Sequence, residues 1–241
     1  MSQTAPATLE VCIEEATALA ACEAGADRIE LCSALALGGL TPSRGLMEAA
    51  RRSPLPVHAM IRPRDGDFEF SEAEIAVMEA DIAAVRDAGL EGVVLGAMQG
   101  EGLDLQTMAR LRDAAGDLAC TLHRAIDLMP DPFTALEQVI HLGFVRVLTS
   151  GGARQASDGL GRLAALQKVA GGRIEIMAGS GLTPDNVARV ADRTGIRSFH
   201  ASCAVPLAVA DNIAAFGFAA ASRKRTDASA IATMKAALAP L

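Results

Sequence analysis

Short apolar runs rich in β-branched residues alternate with longer amphipathic stretches along this chain of 241 residues. The short runs predict eight strands, at residues 8–13, 27–32, 56–61, 91–96, 119–123, 145–150, 173–178 and 198–202. The stretches between them place Ala, Leu and charged residues at helical spacing. Eight strand and helix units in about 200 residues predict an α/β fold of the TIM type, a parallel (β/α)8 barrel.

Residues at the ends of the predicted helices agree with this order. Ser71 with Glu74 predicts a capping box, and Pro184 after Thr183 predicts a helix start. Gly89 stands between a helical stretch and the next strand, where a residue of positive φ ends a helix. A doubly wound open sheet is the rival fold, but the chain lacks its early GxGxxG turn.

The last part of the chain continues in a helical pattern. The barrel is expected to cover about 8–202 of a single domain spanning 1–241, and 203–241 to form a C-terminal helical extension. AASRKRTDASA within it is typical of a solvated loop. This segment could cap the barrel or pack on a neighbouring subunit.

Composition narrows the classes of function. The net charge of −7 and the lack of Trp and Tyr argue against nucleic-acid binding. No apolar run reaches the ~20 residues of a membrane span, and the first ten residues lack a secretory pattern, so a cytoplasmic protein is expected. Five cysteines without a CxxC pair indicate reduced thiols rather than a disulfide framework.

Every second residue of a barrel strand points inward, and one parity in this chain is unusually polar. It comprises Glu10, Cys12, Glu30, Cys32, His58, Met60, Arg62, Thr121, His123, Thr149, Glu175, Met177, His200 and Ser202. Buried carboxylates need partners. The expected partners are Arg62, Arg64 and Arg124, just after strands 3 and 5. These groups either close the barrel as salt bridges or form a working site at its C-terminal rim.

Two glycine-rich strand ends predict an anion site. They contain Ser150, Gly151 and Gly152 after strand 6, and Gly179, Ser180 and Gly181 after strand 7. Such loops expose backbone N–H groups, and the second loop leads into a helix N-terminus. A third loop, GGLTPSRG at 38–45, is interpreted as a tight connection in which Thr41 or Ser43 caps the next helix.

Several ordered strings resemble the CutC family between about residues 9 and 202. They are LEVCIE, GADRIELCSALALGGLTPSRG, PVHAMIRPRDGDFEFSEAE, TLHRAID, RVLTSGGA, RIEIMAGSGL and FHAS. The resemblance implies a TIM barrel, a cytoplasmic setting, a role in copper homeostasis and a homo-oligomer. If the family binds copper through cysteine, Cys32 in IELCSAL is the first residue carried over and Cys12 in LEVCIE the second.

The inward residues offer the ligand types that Cu(I) prefers, which are thiolate, thioether and imidazole. The hypothetical copper ligands are Cys32, Cys12, Met60, His58 and His200. A harder divalent metal held by the glutamates and inward histidines stays open, although no short metal motif occurs.

The alternative is an isomerase, epimerase or lyase acting on a small polar or anionic metabolite. Glu10, Glu30 or Glu175 would serve as general base, and His123 or His58 as the acid partner. Arg62 and Arg124 would clamp the substrate. A Schiff-base aldolase is not expected, because the lysines of this chain lie in helical or tail segments.

Overall fold

A computed structural model describes residues 6–220 and 222–241 of the chain. Its strands are β1 (Thr8–Ile13), β2 (Arg28–Leu31), β3 (Val57–Met60), β4 (Gly92–Leu95), β5 (Met98–Gln99), β6 (Gly102–Leu103), β7 (Ala119–Leu122), β8 (Arg146–Thr149), β9 (Glu175–Gly179), β10 (Ser198–Ala201), β11 (Ala204–Pro206) and β12 (Lys224–Thr226). Its α-helices are α1 (Thr17–Cys22), α2 (Arg44–Ala50), α3 (Glu72–Ala88), α4 (Leu105–Ala115), α5 (Pro132–His141), α6 (Leu160–Ala170), α7 (Val187–Thr194), α8 (Asp211–Ala215) and α9 (Ala228–Leu238). Short 3₁₀ helices cover Leu35–Leu37 and Arg124–Leu128.

Eight parallel strands close into a barrel in the order β1-β10-β9-β8-β7-β4-β3-β2. They lie close to the bounds that the sequence predicts, and the TIM barrel is confirmed. β5 with β6 and β11 with β12 form two small antiparallel pairs outside the barrel. None of the described helices is both long enough and apolar enough to cross a bilayer.

The outer face of the barrel is apolar and packs under the ring of helices. Leu9, Val11 and Ile13 of β1 are buried there in one continuous hydrophobic core. The alternate residues of β1, Glu10 and Cys12, point to the interior, as the period of two in a strand requires.

Side-chain caps begin several of the helices. Ser71 and Glu74 form the predicted capping box at α3. Ser43 caps α2 by accepting a hydrogen bond from the amide of Leu46. The helix expected to begin at Pro184 starts three residues later at Val187, because 184–186 form a turn.

The C-terminal segment completes the barrel. Helix α9 packs against α1, α7 and β1, so it occupies the eighth place in the ring of helices. Ile231, Met234 and Leu238 form its buried side. The segment expected as a loop contains β12, which pairs with β11 over the C-terminal end of the barrel.

Candidate functional site

A cavity of about 910 Å³ opens at the C-terminal ends of the barrel strands. Its polar walls are formed by Cys12, Glu30, Arg62, His123, Arg124, Asp127, Ser180, His200, Cys203 and Lys224. Leu35, Leu37, Phe68 and Leu148 are among its apolar lining residues. A cavity of this size is typical of small-molecule sites, and most barrel enzymes work at this end.

Cys12, Glu30 and His200 meet at the floor of this cavity. One ligand atom from each lies within 4.8 Å of the other two. The imidazole Nε2 of His200 is 2.8 Å from the carboxylate of Glu30. The three residues come from β1, β2 and β10, which are neighbours in the closed barrel, so closure of the sheet brings them together. We call them the Cys12–Glu30–His200 cluster.

The charge on His200 depends on its carboxylate neighbour. Burial alone would lower the pKa of His200, but Glu30 and the adjacent thiol of Cys12 outweigh it and hold the pKa well above its usual value. The imidazole is therefore a cation paired with Glu30 at neutral pH. The second oxygen of Glu30, Oε1, is buried and has no hydrogen-bond partner among the described residues.

A second polar group lies deeper in the barrel, toward the N-terminal ends of the strands. Arg28 pairs with Glu10 and Glu175, and Arg146 donates to Glu175 at 2.9 Å and to Thr121 at 3.1 Å. We call Glu10, Arg28, Arg146 and Glu175 the interior ion network. Burial would raise the pKa of Glu175, but Arg146 outweighs it and lowers the pKa to about 2.

The interior ion network differs from the expected pairing. The sequence predicts Arg62, Arg64 and Arg124 as partners of the inward glutamates, whereas Arg28 and Arg146 pair with Glu10 and Glu175, and His200 pairs with Glu30. Arg28 could have been found, because it has the same parity as Glu30 on β2. The prediction that Thr149 faces inward is wrong, because Arg146 and Leu148 are the inward residues of β8, and the opposite parity hides Arg146 from sequence reasoning.

The other hypothetical copper ligands lie apart from the cluster or beside it. Cys32 and Met60 are buried together next to Val94. Burial and the carboxylate of Glu30 raise the pKa of the Cys32 thiol well above its usual value. His58 lies at the interior ion network, where Nδ1 is 3.5 Å from Arg146, and burial lowers its pKa to about 4.

The glycine-rich end of β8 holds a carboxylate from the protein itself. Asp127 accepts hydrogen bonds from the backbone N–H groups of Ser150 and Gly152, at 3.0 and 2.9 Å. The amide of Gly151 donates to Thr149. Asp127 is also paired with Arg124 at 2.8 Å. The expected anion-binding groups of this loop are therefore already bonded inside the protein, and sequence reasoning missed Asp127.

The loop after β9 borders the cavity directly. Ser180 and Gly181 line it, and both have positive φ, of 79° and 68°. Gly179 lies below them, where an added Cβ would be 2.5 Å from a side-chain carbon of Leu148. Arg64, by contrast, pairs with Asp67 and Glu74 outside the cavity lining.

Arg62 and His123 form a further wall of the cavity, on either side of Phe68. The guanidinium carbon of Arg62 is 5.0 Å from the centre of the Phe68 ring, and the His123 ring is 4.6 Å from it. Gly96 leaves room for His123, because a Cβ there would be 2.7 Å from the imidazole. Burial lowers the pKa of His123 to about 3, so its imidazole is neutral.

Comparison with known proteins identifies relatives over nearly the whole chain. The CutC family profile matches residues 7–205. CutC family proteins from Agrobacterium fabrum (strain C58) and Caulobacter vibrioides (strain NA1000) are each 50% identical. The alignment with the first covers 97% of this chain and 94% of the relative, and with the second 95% and 96%.

Solved structures agree with these sequence matches. A CutC structure from Streptococcus agalactiae, named for copper homeostasis, is 32% identical with a TM-score of 0.79, covering 81% of this chain and 98% of that one. A phosphoribosylanthranilate isomerase from Thermotoga maritima matches at 13% identity and a TM-score of 0.60, covering 98% of this chain and 100% of that one, which shows the shared barrel fold alone. The chain therefore belongs to the CutC family.

Proposed function

We propose that this protein binds Cu(I) at the Cys12–Glu30–His200 cluster and takes part in copper homeostasis. The observation that carries the proposal is the convergence of a thiol, an imidazole and a carboxylate within 4.8 Å at the cavity floor. The name of the Streptococcus agalactiae relative points to the same role.

Cu(I) is a soft ion, so Cys12 and His200 are its natural ligands in this cluster. Glu30 is a harder ligand, and its role is to hold and orient the imidazole. Cys203 lies at the same cavity, where burial and the neighbouring Cys12 raise its pKa to about 11. It offers a second sulfur that sequence reasoning did not select. Cys32 and Met60 provide two further sulfur atoms, which are buried close to Glu30.

Metal binding competes with protons at this cluster. His200 carries a proton on the nitrogen that faces Glu30, because its pKa is well above the usual value. Cu(I) must displace that proton before it can bind the imidazole. The affinity for Cu(I) is therefore expected to rise as the pH is raised.

The test is a Cu(I) titration of the reduced protein against a competing chelator, without oxygen. The parent is expected to bind about one ion per chain, and Cys12→Ala and His200→Gln to lose affinity by about tenfold or more. Cys120→Ala is the matched control, because Cys120 is a buried thiol on the outer face of β7. Equal binding by Cys12→Ala and the parent would contradict the proposal, as would a parent that takes up no copper.

The proposed setting is the cytoplasm. All five cysteines are free thiols in the structure, and such thiols persist in a reducing compartment.

A homo-oligomer is also proposed, supported by the exposed and stacked rings of Phe216 and Phe218 after α8. Light scattering of the parent and of the double variant Phe216→Ser, Phe218→Ser tests this assembly. A monomeric parent would exclude the homo-oligomer.

A further inference from the structure

The wall formed by Arg62, Phe68 and His123 lies outside the Cys12–Glu30–His200 cluster, and the proposed copper site gives it no role. Both polar residues line the cavity and are almost fully buried, with exposed fractions of 6% for Arg62 and 3% for His123. Each carries one buried nitrogen without a hydrogen-bond partner among the described residues, Nε of Arg62 and Nε2 of His123.

The charge of Arg62 lacks a counterion in direct contact. Its terminal nitrogens donate to the backbone carbonyls of Leu37, Gly39 and Gly66. Within the described residues, no carboxylate lies within ion-pair distance of its guanidinium. A buried charge without a partner is costly, so buried cations in proteins are normally paired. The carbonyls hold the guanidinium in place without neutralising it, and this leaves the charge available to an anion.

His123 presents a hydrogen-bond donor beside that charge. Its Nδ1 accepts a hydrogen bond from the backbone N–H of Ala125 at 3.3 Å. In a neutral imidazole the proton must then be on Nε2, which makes Nε2 a donor. Phe68 packs against both groups and fixes their spacing. The pair is therefore a rigid arrangement of a cation and a neutral donor.

The remaining charges of the cavity are already partnered or add to its positive character. Glu30 is paired with His200, and Asp127 with Arg124. Lys224 of β12 lines the opening. The cavity is thus positive within a protein whose net charge is −7. Such a local field concentrates small anions at the cavity.

We infer that Arg62 and His123 bind the oxyanion end, carboxylate or phosphate, of a small metabolite in this cavity. Nε of Arg62 contributes charge and a hydrogen bond, and Nε2 of His123 contributes a second hydrogen bond. The cavity of about 910 Å³ leaves room for a body that extends from this end toward the cluster. The site is separate from the proposed copper ligands, so each stands or fails independently.

Two variants each remove one proposed hydrogen-bond donor and are designed to keep the protein folded. His123→Asn keeps an acceptor for the amide of Ala125, because Asn is a good N-cap residue, but it lacks the Nε2 donor. Arg62→Lys keeps the charge and removes the guanidinium donor. Arg110→Lys is the matched control, since Arg110 is paired with Glu72 and Glu79 outside the cavity lining. Circular dichroism tests whether each variant is folded.

The experiment titrates the metal-free full chain with pyruvate and, separately, with inorganic phosphate, by calorimetry at constant ionic strength. Binding of either probe to the parent is expected, with a loss of about tenfold or more in His123→Asn and in Arg62→Lys. Arg110→Lys should bind as the parent does. Pyruvate binding alone indicates a carboxylate ligand, and phosphate binding alone a phosphorylated one.

A histidine side-chain NMR spectrum gives a second readout, and it is sparse because the chain has four histidines. The Nε2 resonance of His123 should move on addition of the probe that binds, whereas that of the exposed His141 should not. The inference is overturned if neither probe binds at tens of millimolar or shifts His123, or if binding is equal in parent and both variants. Cu(I) uptake by His123→Asn should match the parent, which separates a failure here from a failure of the copper site.

Discussion

Asp127 fixes the end of β8 through hydrogen bonds that no other described carboxylate duplicates. It accepts from Thr149 Oγ1 at 2.6 Å, from Ser150 Oγ at 2.8 Å, and from two backbone amides. A buried acceptor of this kind cannot be removed without leaving its donors unpaired. Asp127 therefore holds rigid the loop beside the cavity.

Asp127→Ala is expected to lower the free energy of unfolding by about 2–3 kcal/mol, because two amides and two hydroxyls at the end of β8 lose a charged partner. Asp131→Ala is the control, since the exposed Asp131 caps α5 and should cost about 1 kcal/mol. Urea unfolding of both variants measures the difference. Equal losses would show that the bonds to Asp127 add nothing beyond a helix cap.

The lowered pKa values of two buried histidines predict how the free energy of unfolding depends on pH. Burial lowers the folded-state pKa of His123 to about 3 and that of His58 to about 4. The unfolded chain takes up these protons near pH 6.5 and the folded chain does not. Stability therefore falls as the pH drops below about 6.5, by about 1.4 kcal/mol per pH unit for each such histidine.

His123→Asn should remove one of these contributions, so its stability should depend less steeply on pH between about 4 and 6. Ser157→Ala, which changes no titratable group, should leave the slope of the parent unchanged. Chemical unfolding of the three proteins across that range measures the slopes. A His123→Asn slope equal to that of the parent would mean that His123 is protonated in the folded state.

At the scale of elements, helix α3 shows how local sequence determines a boundary. The Ser71 hydroxyl accepts a hydrogen bond from the amide of Glu74, and the Glu74 carboxylate accepts one from the amide of Ser71 at 2.7 Å. Ser71→Ala should reduce stability by about 1 kcal/mol in thermal or urea unfolding. Ser157→Ala, whose exposed hydroxyl reaches only Asp158, should change it by less than about 0.5 kcal/mol. A larger loss of stability in Ser157→Ala than in Ser71→Ala would contradict a stabilising role for the capping box.

The strands were predictable from sequence because their period of two and their glycine boundaries are local signals. The inward positions of Glu10, Glu30 and His200 follow from that period. The partners of these residues do not, since they depend on which strands become neighbours on closure. Strand β8 is an example, because Arg146 lies in an apolar sequence and its burial depends on Glu175 and Thr121 from other strands.

The residue types of the site were predictable from sequence, but its separation into two groups of polar residues was not. Sequence parity placed Glu175 and His58 with the rim residues, whereas the barrel separates an interior ion network from the cluster above it. Depth along the barrel axis depends on strand stagger, which no local pattern encodes. Asp127 was missed for a similar reason, because it reaches the end of β8 from the 3₁₀ helix after β7.

At the scale of the whole molecule, the barrel depends on its last helix. α9 covers β1 between α1 and α7, and Met234 is buried there with 1% of its surface exposed. Residues 203–241, expected as an extension, therefore contribute to the same core as the strands. A core shared in this way should unfold in one transition.

Met234→Ala is accordingly expected to lower the free energy of unfolding of the entire domain by about 2–5 kcal/mol, in a single transition. Leu128→Ala is the control, because Leu128 is 64% exposed at the rim and its truncation should cost little. Unfolding followed by circular dichroism and by proteolysis of the C-terminal segment measures whether the two signals coincide. Early release of α9 from a barrel of unchanged stability would make the segment an appendage, whereas coincident transitions make it the eighth helix that closes the barrel.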